Sequence, residues 1–434
     1  MDSKLPRNDQ YFICGIIMKF TKKTSLIIYG ISSLILSLIL AIALLIPPTS
    51  SQPIVIIPKE IRGVWLTNVS SGVLFFPWGI NRALDQLSQL KFNTIYPVVW
   101  NRGSTFYKSA VGKRVMGRSQ DSLLNIMQLG GDILSKIVIE GHKKGLKVIP
   151  WFEYGFMAPK NSAIVQRHPD WIAQTQKGEK ELEPLRNSED VSYQTKVKNW
   201  IVNQILEAMT IENVWLNPLH PQVQQFIEDL ILEVVIKYNI DGIQLDDHFG
   251  LPVEFGYDEY TIKLYQKEHN GQSPPNNYYD QEWRSWRANK ITELVERIVK
   301  KVKIVKPNCI ISLSPNPYEY TYEMYLQDWL TWVNQGLVDE IILQVYRDSM
   351  VKFNSELDHE SVQIARRKVP VVIGLLSGTL RHPVPMEQIE KQVKVVRDRG
   401  FDGVSFFYWE TLWSYFTPDS PRYRRQSFKT LFLD

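Results

Sequence analysis

Cysteine is nearly absent from this chain. Two occur among 434 residues, Cys14 and Cys309, which excludes a small disulfide-stapled fold. Charge of one sign is also missing over most of the length. The formal net charge is +4, and the first fifty residues hold most of it: Lys4, Arg7, Lys19, Lys22 and Lys23 against Asp2 and Asp9. The remainder is close to neutral, which argues against a nucleic-acid partner needing a basic face. No glycine-rich phosphate turn follows the first β-rich run, where TNVSSGVLF stands instead, so a dinucleotide-binding sheet lacks its signature. No HExxH or His-x-His spacing occurs among the seven histidines, and no resident metal or other cofactor is expected.

Aromatic residues, by contrast, are plentiful, with 13 Trp and 20 Tyr. Most such side chains pack cores, but they also offer flat amphipathic surfaces to ligands. A long apolar run is present at one place. Ser25 to Ile46 contains no charged residue, and at 1.5 Å per residue it is long enough for a hydrocarbon core of about 30 Å. Lys19, Lys22 and Lys23 precede it, so its amino end is expected in the cytoplasm and the bulk of the chain outside. A cleaved signal peptide is the rival reading, although no A-x-A site follows Ile46. Met18 opens MKFTKKTSLII, an alternative export start that would make residues 1–17 an extension. The organisation read from this is a cytoplasmic segment (1–24), an anchor or signal segment (25–46), a Pro- and Ser-rich linker (47–59) and a catalytic-size domain (60–434). Cys14 and Cys309 then fall on opposite sides of a membrane, and no disulfide is expected.

From Ile61 onward short β-rich runs alternate with helical periodicity, the pattern of a parallel α/β sheet. The runs are 61–67, 92–100, 145–154, 240–248, 309–315, 338–346, 370–376 and 401–410. Amphipathic stretches between them are Asn81–Lys91, Asp132–Lys144, Pro221–Tyr238, Glu282–Val305, Tyr322–Asn334 and Met386–Arg399. Gly145 and Gly400 stand where helix-terminating glycines do. Eight such units predict a (β/α)8 TIM barrel; a doubly wound sheet is the alternative. The gap after the third run, Gly155 to Asn217, is much longer than one helix and two loops need. It reads as an extended excursion at the strand-end face, a lid or wall of a cleft.

In a barrel the residues at the carboxyl ends of the strands form the site. Here they include Trp65; Asn101; Trp151 and Glu153; Asp246, Asp247 and His248; Gln344 and Tyr346; and Trp409 and Glu410. Carboxylates, amides and indoles on one rim suit a neutral polyhydroxylated ligand, a polysaccharide. Glycoside cleavage needs two carboxyl groups across the bond, one to protonate the leaving oxygen and one to attack or to activate water. Strand alternation puts Gln244, Asp246 and His248 on one face, so Asp246 is the candidate ionised partner, with Asp247 a supporting group or one that turns inward as the strand ends. Glu153, among Trp151, Phe152 and Tyr154, is the candidate acid, since desolvation raises a carboxyl pKa. Glu410 beside Trp409 is its runner-up. A metal site at Asp246, Asp247 and His248 is the competing chemistry, although alternation lets only two of the three converge easily.

The stretches IRGVWLT at Ile61, WLNPLHP at Trp215, DGIQLDDHF at Asp241, YLQDWLTWVNQGLVDEIILQVYR at Tyr325 and GVSFFYW at Gly403 resemble, in order and spacing, a glycosyl-hydrolase-like TIM-barrel family that includes bacterial envelope enzymes cutting peptide-free peptidoglycan glycan. The likeness runs from Ile61 to about Trp413. It implies a barrel hydrolase of an N-acetylhexosamine-containing glycan, with Asp246, Asp247, Asn217, Gln344 and Tyr346 in the site. His248 stands where the family more often has an aromatic, and the region near Leu185–Ile211 looks inserted. WFEYG at Trp151 also departs from the family, so Glu153 rests on its surroundings alone. Rival readings are a catalytically inactive glycan-binding barrel and a hydrolase of another extracellular polysaccharide.

Overall fold

Eight parallel strands close into a ring. They are β1 (Ile61–Leu66), β2 (Thr94–Pro97), β3 (Lys147–Val148 and Trp151–Phe152), β4 (Gly242–Asp246), β5 (Ile310–Ser314), β6 (Glu340–Gln344), β7 (Val371–Leu376) and β8 (Gly403–Phe407). The computed structural model describes residues 60–69, 71–76, 78–181, 212–379, 383–414 and 417–433. The expected anchor, the segments flanking it, Cys14 and residues 182–211 of the excursion lie outside the described residues. Among the described residues no helix is long and apolar enough to cross a membrane, and Cys309 is a buried free thiol.

The third run is what closes the barrel. Its first half pairs with β2, Lys147 opposite Thr94, and its second half pairs with β4, Trp151 opposite Gln244. Pro150 lies between the halves and has no N–H to give a ladder. Its carbonyl nevertheless accepts from Gln244 N at 2.8 Å, and Ile149 N donates to Ile95 O at 3.0 Å. The other neighbours follow in order from β4 through β5, β6, β7 and β8 to β1 and β2. β4 and β6 are buried along their whole length, as expected of parallel strands covered on both faces.

A helix packs outside after each strand: α1 (Gly79–Gln89), α2 (Ile133–Lys143), α3 (Pro221–Lys237), α4 (Gln281–Val305), α5 (Trp329–Asn334), α6 (Glu360–Arg366), α7 (Met386–Asp398) and α8 (Pro421–Leu431). On α4 the buried set Ile291, Leu294, Val295, Ile298, Val299 and Val302 forms a single stripe, and Asp280 caps its start, accepting from Trp283 N at 3.0 Å. Gly145 and Gly400 take φ of 73° and 66°, the left-handed geometry expected after α2 and α7. One expected helix is broken: within 322–334 the chain turns at Leu326, φ 52°, between a helix over Tyr318–Tyr325 and α5. Asp328 starts α5 afresh by accepting from Thr331 N at 3.2 Å. The link from β6 to β7, unassigned from periodicity, is helical over Met350–Asp358 and again over α6.

The excursion after β3 is anchored at both ends. Met157–Pro159 pairs antiparallel with Asn213–Trp215, and Phe156 N donates to His248 O at 3.1 Å. That approach requires Gly155: its φ is 47°, and a Cβ there would lie 2.4 Å from the His248 carbonyl oxygen.

Large rings plug the barrel interior. Trp65, Trp151 and Phe407 meet with centroids 6.1, 6.2 and 6.3 Å apart. Trp65 Nε1 donates to Gln244 Oε1 at 2.7 Å, and Gln244 Nε2 to Ser312 Oγ at 3.0 Å. Trp65 is 1% exposed and Trp151 3%. Both were expected to present stacking faces to substrate; burial in the closed ring makes them the floor of the mouth instead. Trp65→Ala should therefore cost about 3–5 kcal/mol of stability, read by urea denaturation; a loss under about 1 kcal/mol would contradict a packed floor.

Candidate active site

β4 ends on Asp246, and Asp247 and His248 already belong to the turn beyond it. Strand alternation therefore lapses one residue earlier than the sequence pattern implies. All three side chains converge, with potential ligand atoms within 4.8 Å of one another, against the expectation that only two would. Gln327 secures the turn from beneath, its Nε2 donating to the carbonyls of Asp246 at 2.9 Å and Asp247 at 3.2 Å.

Asp246 is 2% exposed. Its Oδ1 accepts from Ser314 Oγ at 2.6 Å and Gln344 Nε2 at 3.0 Å. Asp247 is half-buried; its Oδ2 accepts from Asn316 Nδ2 at 2.6 Å and its Oδ1 lies 2.8 Å from His248 Nδ1. Burial, then the neighbouring charge of Asp247, pushes Asp246 well above the usual carboxylate range. Burial also opposes charge on Asp247, but the His248 cation and its hydrogen bond outweigh that and hold Asp247 low. His248 in turn is desolvated, yet the charge of Asp247 lifts it well above an ordinary imidazole. These directions favour the charge on Asp247 over Asp246. The deeper acid carries the proton because two adjacent carboxylates cannot both ionise cheaply in a closed site.

His248 Nδ1 also lies 3.1 Å from the carbonyl oxygen of Glu153. An N–H at Nδ1 satisfies that carbonyl. The trio is an ion-pair network in which every side chain has a hydrogen-bond partner.

Glu153 is buried, and its Oε2 accepts from Thr67 Oγ1 at 3.0 Å and from Asn101 Nδ2. Burial raises its pKa to about 7 against the pull of those bonds and of His248. Glu410 at the tip of β8 is also raised to about 7 by burial. Its Oε1 accepts from Ser71 Oγ and from Val73 N at 3.2 Å, so it ties down the β1–α1 loop. Tyr346 stands between the groups. Its ring stacks on Phe407 at 5.7 Å, and burial, then the charges of Asp246, Asp247 and Glu153, lifts its phenol well above the usual value.

Other expected contacts are positioning groups. Asn217 is 1% exposed, with Nδ2 donating to Asp258 Oδ1 and Thr261 Oγ1 and Oδ1 accepting from Leu219 N; it fixes the returning excursion and is spent internally. Asn101 is buried against Glu153, and Gln344 is engaged with Asp246. Trp409 is half-buried and packs near Trp413 at 6.3 Å. Trp215 and Tyr325, absent from the expected set, line up beyond His248, with centroids 6.3 Å from His248 to Trp215 and 6.2 Å from Trp215 to Tyr325. Both lie in the motif stretches quoted above, the one signal that marked them. Ser71 carried no signal, since it is a loop serine whose partner is 339 residues away.

Acids, amides and a stacked tyrosine at the carboxyl mouth of a closed parallel ring define an α/β barrel of the glycosidase type. The chain belongs to the glycosyl hydrolase-like 10 family, whose model matches residues 60–207 and 179–396. The two matches overlap over residues 179–207, most of which fall in the region that reads as inserted. Among curated proteins it is similar to glycosyl hydrolase DigH of Escherichia coli K12, 24% identical over 339 residues covering 69% of each chain. It is also similar to glycosyl hydrolase YngK of Bacillus subtilis, 23% identical over 73% of this chain and 60% of that one. Among solved structures, the PgaB (BpsB) glycoside hydrolase domain of Bordetella bronchiseptica superposes with TM-score 0.55, at 12% identity over 80% of this chain and 93% of that one. An α-L-fucosidase of Paenibacillus thiaminolyticus gives 0.56, at 12% identity over 86% and 49%. These two likenesses concern the fold alone.

A carboxyl raised from 4.5 to about 7 on folding contributes stability that is full below pH 4.5 and lost as pH rises through about 7. Glu153→Gln cannot ionise. It should flatten the fall in unfolding free energy between pH 4.5 and 8, measured by urea titration at several pH values. An unchanged slope would mean that Glu153 is not desolvated.

Proposed function

We propose that this protein is a glycoside hydrolase acting on a cell-envelope polysaccharide, N-acetylhexosamine-containing glycan of the peptidoglycan type. The observation that carries the reading is the convergence of Asp246, Asp247 and His248 at one mouth beside Glu153, in surroundings that push the carboxyl groups in opposite directions. Asp247 is held ionised by His248, while Glu153 holds its proton up to about 7. Carboxyl groups pushed apart in this way divide into acid and base or nucleophile. Glu153 protonates the leaving oxygen, and Asp247 supplies the negative charge that attacks the anomeric carbon or activates water. Asp246, neutral and held by Ser314 and Gln344, donates toward Asp247 and keeps it oriented. Tyr346 and Trp409 contact the sugar, as does His248 through its exposed edge.

The substrate class rests on the family resemblance, and the relatives' names support glycosyl hydrolysis in general. The location rests on the apolar stretch Ser25–Ile46 behind three lysines, which would keep the barrel outside the cytoplasm as a membrane-anchored or exported protein.

Incubation with peptide-free peptidoglycan strands should release reducing ends, and mass spectrometry of the products reports the bond cut. Glu153→Gln should lower kcat by roughly 10²–10⁴-fold, and Asp247→Asn by at least as much. Near-normal turnover in either variant would move the chemistry elsewhere. No release from these or other polysaccharides by folded protein would leave a glycan-binding barrel.

A further inference from the structure

A cavity of about 680 Å³ opens between the tips of β6 and β7 and shares Tyr346 with the acid site. Its size is that of a ligand pocket, roughly 300–1,000 Å³. Its walls are built rather than accidental. Gln388 and Gln392, one turn apart on α7, both donate to the carbonyl of Arg347, at 3.2 and 3.0 Å. The Arg347 guanidinium is fixed by two bonds to Glu356 Oε1, at 3.0 and 2.8 Å.

The unpaired charges of these walls point to a ligand. Gln392 is 2% exposed, and its buried Oε1 has no hydrogen-bond partner among the described residues, so this side chain belongs to the wall itself. Lys352 and Asp348 also line the cavity. Both are exposed, and neither has an ion pair among the described residues. One free cation and one free anion, with Arg347 already neutralised by Glu356, suit neither a phosphate nor a cationic ligand. They suit a neutral ring bearing hydroxyls, each of which donates to a carboxylate and accepts from an ammonium.

We propose that this cavity is a sugar subsite next to the cleaved bond, in which Asp348 and Lys352 read ring hydroxyls, the Gln388 amide oxygen adds a contact, Gln392 backs the wall, and Tyr346 forms the side shared with the acids. The identity of the ligand as a sugar rests on the glycoside-hydrolase reading; the cavity and its unpaired groups do not. Nothing in the acid site requires Asp348 or Lys352, so they separate binding from chemistry.

The test uses the full chain in detergent with two probes, N-acetylglucosamine hexamer and peptide-free peptidoglycan strands. Asp348→Ala and Lys352→Ala should each raise KM for the bound probe at least tenfold. Calorimetric affinity in an Asp247→Asn background should fall by the same factor, with melting temperature unchanged because both side chains are exposed. Wild-type KM and affinity in both variants would overturn the subsite even if hydrolysis is observed. Weakened binding in these variants together with normal turnover in Asp247→Asn would keep the subsite and remove the catalytic assignment. Neither binding nor cleavage of any probe by the wild-type chain would overturn both.

Discussion

The site depends on one cation. His248 sits with Nδ1 2.8 Å from Asp247, 3.3 Å from Asp246 and 3.1 Å from the backbone oxygen of Glu153. Without a positive charge there, two adjacent carboxyls and a third nearby would all drift toward the protonated form, since burial favours neutrality. With it, Asp247 is held low while burial raises Asp246 and Glu153. The backbone of the same residue also joins the turns beyond β3 and β4, because its carbonyl oxygen accepts from Phe156 N and packs against Gly155. Ring closure and charge distribution therefore meet in one residue. The His248 ring also stacks, on Tyr154 at 5.9 Å.

Beneath that cation the barrel is sealed by aromatic rings. Trp65, Trp151 and Phe407 pack together under the mouth. The acids above them are consequently desolvated from one side only, which raises Glu153 and Asp246 without closing the mouth. Two further devices hold the rim: Glu410 grips the β1–α1 loop through Ser71 and Val73, and Gln327 grips the β4 turn. Both are single polar side chains satisfying several groups at once, the economical way to fix irregular backbone in a partly buried place.

The repeating units were legible because local rules govern them. Continuous apolar runs marked the strands, stripes marked α2, α3, α4 and α7, and Gly145 and Gly400 marked two helix ends. The tip carboxylates were legible too, since any barrel presents its strand ends at one mouth. The burial of Trp65 and Trp151 under the mouth, and the internal bonds of Asn217, were not legible. An indole or amide at a strand end can face a ligand or fill the space beneath it, and that choice depends on how many large neighbours arrive from strands hundreds of residues away. Leu326 shows the local counterpart, since periodicity ran through a position where the backbone turns left-handed.

The amino-acid sequence alone determined the number of strand–helix units, their order and the set of acids, amides and aromatics at their tips, because hydrophobic period and chain order are local properties. Only the tertiary structure decided which aspartate bears charge and which tryptophans lie under the site. It also decided that β3, split at Pro150, closes the ring. Each of those outcomes follows from burial and from neighbours brought together by folding, and neither quantity is written in the spacing of residues along the chain.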